Sequence, residues 1–462
     1  MSFILFLNYI EAMSVTIQGN IWWISLKNIL RFHIDLMIQT NNIQQSKKVM
    51  KIKLLMLTTS FPRWALDSTP SFVYDFAEKF PAKEFEIIVL APHSKGAKKF
   101  EVMDGMKVYR FPYFYPYNFQ KVAYGGGIPY NIKNIFLAKL QLPLFLIFEL
   151  IYAIKVIKIE RIKAINSHWF MPQGFVGAIC KRIFGISHIS TIHSSEITLI
   201  KKIPFGSKIS KFILDNSDFV FSVSKHRFDE LISYISYNHP NFSFEKFDFV
   251  PMGVNSDRFN IASKEKLKIK YKLNSKFVIL FVGILTEVKG CEYLIEAFRD
   301  VSNKISDIKL VIVGNGPLEE SLKNKVNYLS LNQYIRFEGF VENSKISDYY
   351  SMADIVVVPS IIDSSGFEEG LPVVLLEALV GGKPIIATKI KGVMEAIEDN
   401  YNGILVDPKN STQISDSILR LLDDTKLRNK LSRNAFESGK KYDWNTIVHT
   451  YVKVINEVCL ND

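Results

Sequence analysis

FVILFVGILTEVKGCEYLIEAFRDV, residues 277–301, reads as a strand, a turn and a helix in succession. The six residues from Phe277 to Val282 are apolar without a break, which suits a strand buried on both faces of a sheet. Gly283 ends the run, and ILTEVKG leads into CEYLIEAFRDV, whose apolar residues recur at helical spacing. Lys289 and Gly290 stand just before that helix. A lysine there can reach an anion bound against the free backbone N–H groups of a helix start, and the same position equally suits an ordinary surface lysine.

The same unit repeats in both directions. Downstream lie IKLVIVG, IRFEGF, IVVVPS, KPIIAT and GILVD; upstream, between Lys51 and Gly253, lie KIKLLMLTT, FEIIVLAP, IKAINSH, HISTIH, FVFSVS and FDFVPMG. Apolar runs alternating with amphipathic stretches predict α/β folding, with parallel sheets covered by helices. The 462 residues allow two domains of ordinary size. We therefore expect two Rossmann-like domains facing a cleft, at 50–254 and 277–440, joined by a polar, Lys-rich linker at 255–276. A last helix at 441–462 is expected to cross back to the first domain. Ligands of such sheets bind at the carboxyl ends of the strands.

Several of those ends carry residues suited to a ligand. IVGNGPLEE, 312–320, departs from the dinucleotide fingerprint, because Glu319 stands at the third glycine and would repel a pyrophosphate. Gly314 and Gly316 let the backbone approach a flat base or a ribose, and Pro317 suits a helix start. After IVVVPS comes EEGLPVVLLEA, 368–378, where Pro372 favours a helix from about Leu371 to Gly381. Glu369 then sits at the helix mouth, with the N–H groups of Gly370 and Leu371 available to an anion. Glu377 lies more than a turn inside, so the rise of about 1.5 Å per residue separates the two acids by roughly a sugar diphosphate. The apolar neighbours of Glu377 offer no cation within the helix, and an unpaired buried carboxylate costs several kcal/mol. A pair of ribose hydroxyls would satisfy it; the alternatives are solvent or a distant lysine.

The formal charge of +11 is concentrated in 95–163, which holds twelve Lys or Arg against four Asp or Glu. That stretch includes the aromatic run YRFPYFYPY and the apolar run LQLPLFLIF. Basic charge beside aromatic and apolar residues suits an anionic membrane surface, and a solvated basic face beside a buried helix accounts for it equally well. No nucleic-acid motif accompanies the charge. Lys139 and Glu149 interrupt the best internal candidate for a spanning segment. Residues 1–49 lack the basic start of a secretory signal and read as an extension outside the native fold. Translation from Met50 is expected to give a stable, active protein. Three widely spaced cysteines, Cys180, Cys291 and Cys459, support neither disulfides nor a zinc site and fit a reducing compartment.

Taken in order, SFPR, HWFMPQG, TIHSSEI, FSVSKHR, VPMGVNSDRF, VGILTEVKG, VGNGPL, IRFEGFV, ADIVVVPS and EEGLPVVLLEA resemble the retaining family 4 glycosyltransferases of GT-B fold, over roughly 51–458. The resemblance implies transfer of a sugar from a UDP- or GDP-sugar to a saccharide or polyprenyl-linked acceptor, with retained configuration and no metal. No Asp-x-Asp triplet occurs in the chain. By that likeness Glu377 holds the donor ribose, Glu369 binds hydroxyls of the transferred sugar and Lys289 neutralises the diphosphate. Gly283, Gly314, Gly316, Gly370, Leu371 and Pro372 line the donor. Gly392 lies in a loop near the phosphates that Glu395 closes. His193 reaches the sugar or the reacting centre, and Arg63 and His168 lie on the acceptor side, in the amino-terminal domain. The likeness places the enzyme in the cytoplasm, on the inner membrane face if its acceptor is lipid-linked. Two positions depart from the pattern: Ile284 replaces the usual arginine after the strand glycine, and FPRWALDSTPSF replaces a glycine pair. Loss of that arginine leaves open a binding protein without turnover, and a GT-B epimerase or phosphorylase shares the fold.

Overall fold

The computed structural model describes residues 51–460, apart from 65, 66, 68, 70, 126, 194, 260–262, 274, 365 and 367. The extension at 1–49 and Met50 lie outside the described residues.

The first domain is an eight-stranded sheet. Its strands are β1 Ile52–Leu57, β2 Phe85–Pro92, β3 Phe100–Met103, β4 Met106–Phe111, β5 Ala164–His168, β6 Ser187–Ile192, β7 Phe219–Ser222 and β8 Phe247–Phe249. They lie in the order β3-β4-β2-β1-β5-β6-β7-β8, and only β3 runs antiparallel to its neighbour. The hairpin β3–β4 was not among the expected strands. Asp104 and Gly105 join its strands, both with positive φ, the conformation of a two-residue hairpin turn. As a result, part of the basic aromatic run is core and not surface. Phe111 and Tyr113 are buried, and the buried Arg110 donates to Glu101 Oε1 at 2.6 Å and to the Pro62 carbonyl at 2.8 Å.

The second domain is a six-stranded parallel sheet of β9 Phe277–Val282, β10 Ile308–Val313, β11 Ile335–Gly339, β12 Ile355–Val358, β13 Ile385–Thr388 and β14 Ile404–Val406. Its order, β11-β10-β9-β12-β13-β14, is that of a doubly wound dinucleotide-binding sheet, with the switch point between β9 and β12. The helix Cys291–Lys304 follows β9 and buries Leu294, Ile295, Phe298 and Val301 against the sheet. Gly290 starts it with φ +61°, and a Cβ there would meet the Pro359 carbonyl oxygen at 1.9 Å, so the strand-to-helix turn demands glycine.

The interval 255–276, expected as a linker, contains the helix Lys264–Lys270, and its Leu267 and Leu273 pack into the core of the second domain. The final helix, Trp444–Leu460, places Trp444, Ile447, Val448, Tyr451 and Ile455 in the core of the first domain beside Phe76 and Phe221. Across the cleft, Ser224 donates to Glu395 Oε1 at 2.7 Å and Arg258 pairs with Asp75 at 3.1 Å.

Candidate functional site

The switch point of the second sheet brings together residues far apart in sequence. Lys289 ends a single 3-10 turn after β9, and its Nζ lies 2.5 Å from Glu369 Oε1. Ser360, just past β12, donates to the other oxygen, Glu369 Oε2, at 2.7 Å. Thr388 at the end of β13 fixes Ser360 by donating to its carbonyl oxygen. Glu369 thus has both oxygens held, one by a cation and one by a hydroxyl, at the mouth of the cleft. A cation so placed favours an arriving anion, which competes with Glu369 for it.

The helix carrying the second acid spans Val373–Val380, slightly shorter than expected. Pro372 is its N-cap, with φ −68° and ψ 128°, one position earlier than the first turn foreseen for it. Glu377 Oε2 accepts from Tyr350 Oη at 2.7 Å, and the same hydroxyl lies 3.1 Å from the Val374 carbonyl oxygen. Burial pushes Glu377 up to about 7, against the opposing pull of the Tyr350 hydroxyl and the Arg258 charge.

Glycines set the shape between these acids. A Cβ on Gly392 would meet the Gly370 carbonyl oxygen at 2.0 Å and that of Glu369 at 2.9 Å, so the loop 390–392 is pressed against 369–370. Lys391 N donates to Glu368 Oε1 at 2.6 Å across the same contact. Gly314, with φ +122°, would place a Cβ 2.0 Å from the Gly283 carbonyl oxygen, and Gly316 would meet Leu285 backbone at 2.6 Å. The ends of β9 and β10 therefore form one close-packed floor. Gly283 itself faces the Lys289 side chain, with Cδ 3.5 Å from its ideal Cβ position. Leu371 is half-buried and packs against the core of the second domain.

The opposite wall comes from the first domain. His168 ends β5, His193 follows β6, and His168 Nδ1 lies 3.3 Å from His193 Nε2. His193 packs on Trp169 and Phe72, with ring centroids 4.8 and 5.4 Å away, and its backbone N–H donates to Glu196 Oε1 at 2.6 Å. Burial pushes the His193 ring down to about 3, so it is neutral at physiological pH and offers a hydrogen bond without a charge. Arg63, expected on the acceptor side, is already engaged within its own loop. It pairs with Asp67 at 2.6 and 2.8 Å and stacks on Trp64 and Tyr124.

Five contributors were not foreseen. Tyr350 and Ser360 hold the two glutamates, Arg258 and Asp75 tie the domains together beside Glu377, and Arg227 from the first domain donates to the Glu368 carbonyl oxygen. Ile284 is 61% exposed at the cleft mouth and supplies no charge. Among the described residues, no group of three His, Cys, Asp or Glu side chains is placed to hold a metal ion.

Comparison with known proteins places this site in context. Residues 263–438 match the family described as Glycosyl transferases group 1, and residues 70–258 match Glycosyltransferase Family 4. An uncharacterized glycosyltransferase of Methanocaldococcus jannaschii is 30% identical over 325 residues, 67% of this chain and 79% of the relative. A GDP-mannose-dependent alpha-(1-6)-phosphatidylinositol monomannoside mannosyltransferase of Mycobacterium tuberculosis is 28% identical over 266 residues, 56% of this chain and 67% of the relative. Sucrose-phosphate synthase from Thermosynechococcus elongatus superposes with TM-score 0.70, covering 89% of this chain and 100% of that structure. At 18% identity that superposition speaks for the fold alone.

Proposed function

We propose that this chain, which belongs to the group 1 glycosyltransferases and has the GT-B fold, moves a sugar from a UDP- or GDP-sugar to a saccharide or lipid-linked acceptor, retaining configuration without a metal. The observation that carries this reading is the Lys289–Glu369 pair at the switch point, with Glu377 just over a turn into the helix that follows. The relative named as a GDP-mannose-dependent alpha-(1-6)-phosphatidylinositol monomannoside mannosyltransferase supports a GDP-sugar donor and a lipid-linked acceptor.

In this reading the donor diphosphate lies over Gly283 and the loop 369–371. It takes the ammonium of Lys289, and Glu369 turns to hydroxyls of the sugar. Glu377 accepts the two ribose hydroxyls, with Tyr350 fixing its carboxylate. As the bond from the anomeric carbon to phosphate breaks, its electron pair goes to the phosphate oxygen, where Lys289 stabilises the growing charge. The acceptor hydroxyl attacks from the same face and gives its proton to that oxygen. His193, neutral, hydrogen-bonds the sugar.

Thermal stabilisation by a panel of UDP- and GDP-sugars tests the donor. A ligand at about 100 times its dissociation constant adds about 2.7 kcal/mol, so one donor should stand out; no shift with any of them would refute the reading. Activity should survive excess chelator, and strict dependence on added Mg²⁺ or Mn²⁺ would contradict the metal-free step.

Donor affinity should also depend on pH. If the ribose binds the ionised carboxylate, and Glu377 in the free protein titrates near 7, the dissociation constant should rise about tenfold from pH 8 to pH 6. Calorimetric titration measures this. Glu377→Gln should bind more weakly and lose that pH dependence, and Tyr350→Phe should move it to higher pH.

A further inference from the structure

The long helix Phe136–Glu160 buries Ala138, Phe145, Ala153, Val156 and Ile157 against the first sheet. On its outer side Phe136, Leu140, Leu144, Ile147 and Ile151 are exposed, the first by 73% and the last by 50%. Their spacing of three and four residues makes one apolar stripe along four turns, where a solvated helix would carry charge. Neighbouring segments widen it. Gln141 accepts from Lys121 N at 3.0 Å and donates to the Phe119 carbonyl at 2.7 Å, holding the exposed Phe119 and Lys121 beside the first turns. Tyr130, also exposed, lies on the preceding helix Gly127–Asn134.

Charge around the stripe has one sign. Lys121, Lys133, Lys139 and Lys155 are exposed, whereas the only carboxylates in 105–160, Glu149 and Glu160, are buried. A second copy of the chain on this face would bring lysines against the same lysines across a two-fold axis. An anionic lipid surface complements both features, with apolar side chains among the acyl chains and ammonium groups at the phosphates. Among the described residues, no helix is long and apolar enough to cross a membrane.

We propose that this face docks the chain on an anionic membrane surface, with the stripe from Phe136 to Ile151 inserted and Lys121, Lys133, Lys139 and Lys155 on lipid headgroups. The segment before these helices is anchored at the end of β2, where Tyr124 donates to the Pro92 carbonyl at 2.8 Å and Arg63 stacks on the Tyr124 ring. The docking stands on the surface itself, while presentation of a lipid-linked acceptor there rests on the glycosyl-transfer reading.

Flotation of the full-length protein with vesicles of equal parts phosphatidylglycerol and phosphatidylcholine tests it. The protein should float with them at low ionic strength and be released by salt, and pure phosphatidylcholine should hold it more weakly. Leu144→Glu with Ile147→Glu should lower the bound fraction about tenfold or more. Lys133→Glu with Lys139→Glu should do the same and flatten the salt dependence. Donor-induced thermal stabilisation, measured on each variant, should be unchanged. If the first pair of changes unfolds the chain, the lysine pair decides. Failure of the wild type to float at low salt, or undiminished flotation of the folded variants, would overturn the proposal. So would conversion of a wild-type dimer to monomer by the stripe changes without vesicle binding. Flotation with no donor response would instead leave the docking intact and remove the transfer reading.

Discussion

Replacing Lys289 by alanine is expected to lower kcat/KM for the donor by about 10²–10³, the loss that follows removal of one preorganised charge donor from a transition state, ~3–4 kcal/mol. The expectation is large because Lys289 works without the arginine that Ile284 replaces. Its Nζ is held 2.5 Å from Glu369 in the free site, so its position is set before substrate arrives. The charge it meets grows as the bond to phosphate breaks, so kcat should fall more than KM rises. Lys289→Arg should recover part of the rate. A fall in KM-linked binding alone, with kcat unchanged, would show that Lys289 only helps to hold the donor. The substitution also leaves Glu369 without its cation, and a melting curve separates that structural cost from the kinetic one.

Glu377→Ala should weaken the donor by about 100-fold, since two hydrogen bonds to a charged group contribute about 1.5–3 kcal/mol each, less the cost of ionising a buried acid. Stability should respond through its pH dependence. A carboxyl whose pKa rises from 4.5 to about 7 on folding is bound by a proton more tightly in the native state. Its favourable contribution is present below pH 4.5 and is lost as pH rises through 7. Above pH 7 that contribution, about 3 kcal/mol, is gone, so replacing Glu377 by alanine costs least stability there. A variant whose stability no longer falls between pH 5 and pH 7, and whose donor affinity is about 100-fold lower, is the expected signature. Equal losses of both would make Glu377 a structural residue.

Much of this arrangement was legible in the residues. The uninterrupted run Phe277–Val282, its terminal glycine and the amphipathic helix behind it announced a βα unit, and eleven similar runs announced the sheets. Glu369 and Glu377 of EEGLPVVLLEA stood out by their spacing. What escaped were partners supplied by other elements. Tyr350 sits on the helix Asn343–Met352 and meets Glu377 only because that helix packs beside Val373–Val380. His168 and His193 meet because β5 and β6 run parallel, with His168 opposite Thr191, a register that alignment of the two runs could have suggested. The β3–β4 hairpin hid behind charged residues, although Asp104-Gly105 is a strong turn signal. The pairing of Arg63 with Asp67 was within reach of their four-residue spacing. In the Lys-rich interval 255–276, composition concealed Leu267 and Leu273, whose burial makes it part of the second domain.

The central claim is that this cleft turns a nucleotide-sugar over and does not merely hold it. Release of nucleoside diphosphate, followed over time with the donor that stabilises the protein and a panel of saccharide and lipid-linked acceptors, tests this most directly. The account predicts acceptor-stimulated release of UDP or GDP by the wild type, with the transferred sugar retaining its configuration and the rate at least 100-fold lower in Lys289→Ala. A protein that binds the donor tightly yet releases no diphosphate with any acceptor, or releases it equally well without Lys289, would contradict it.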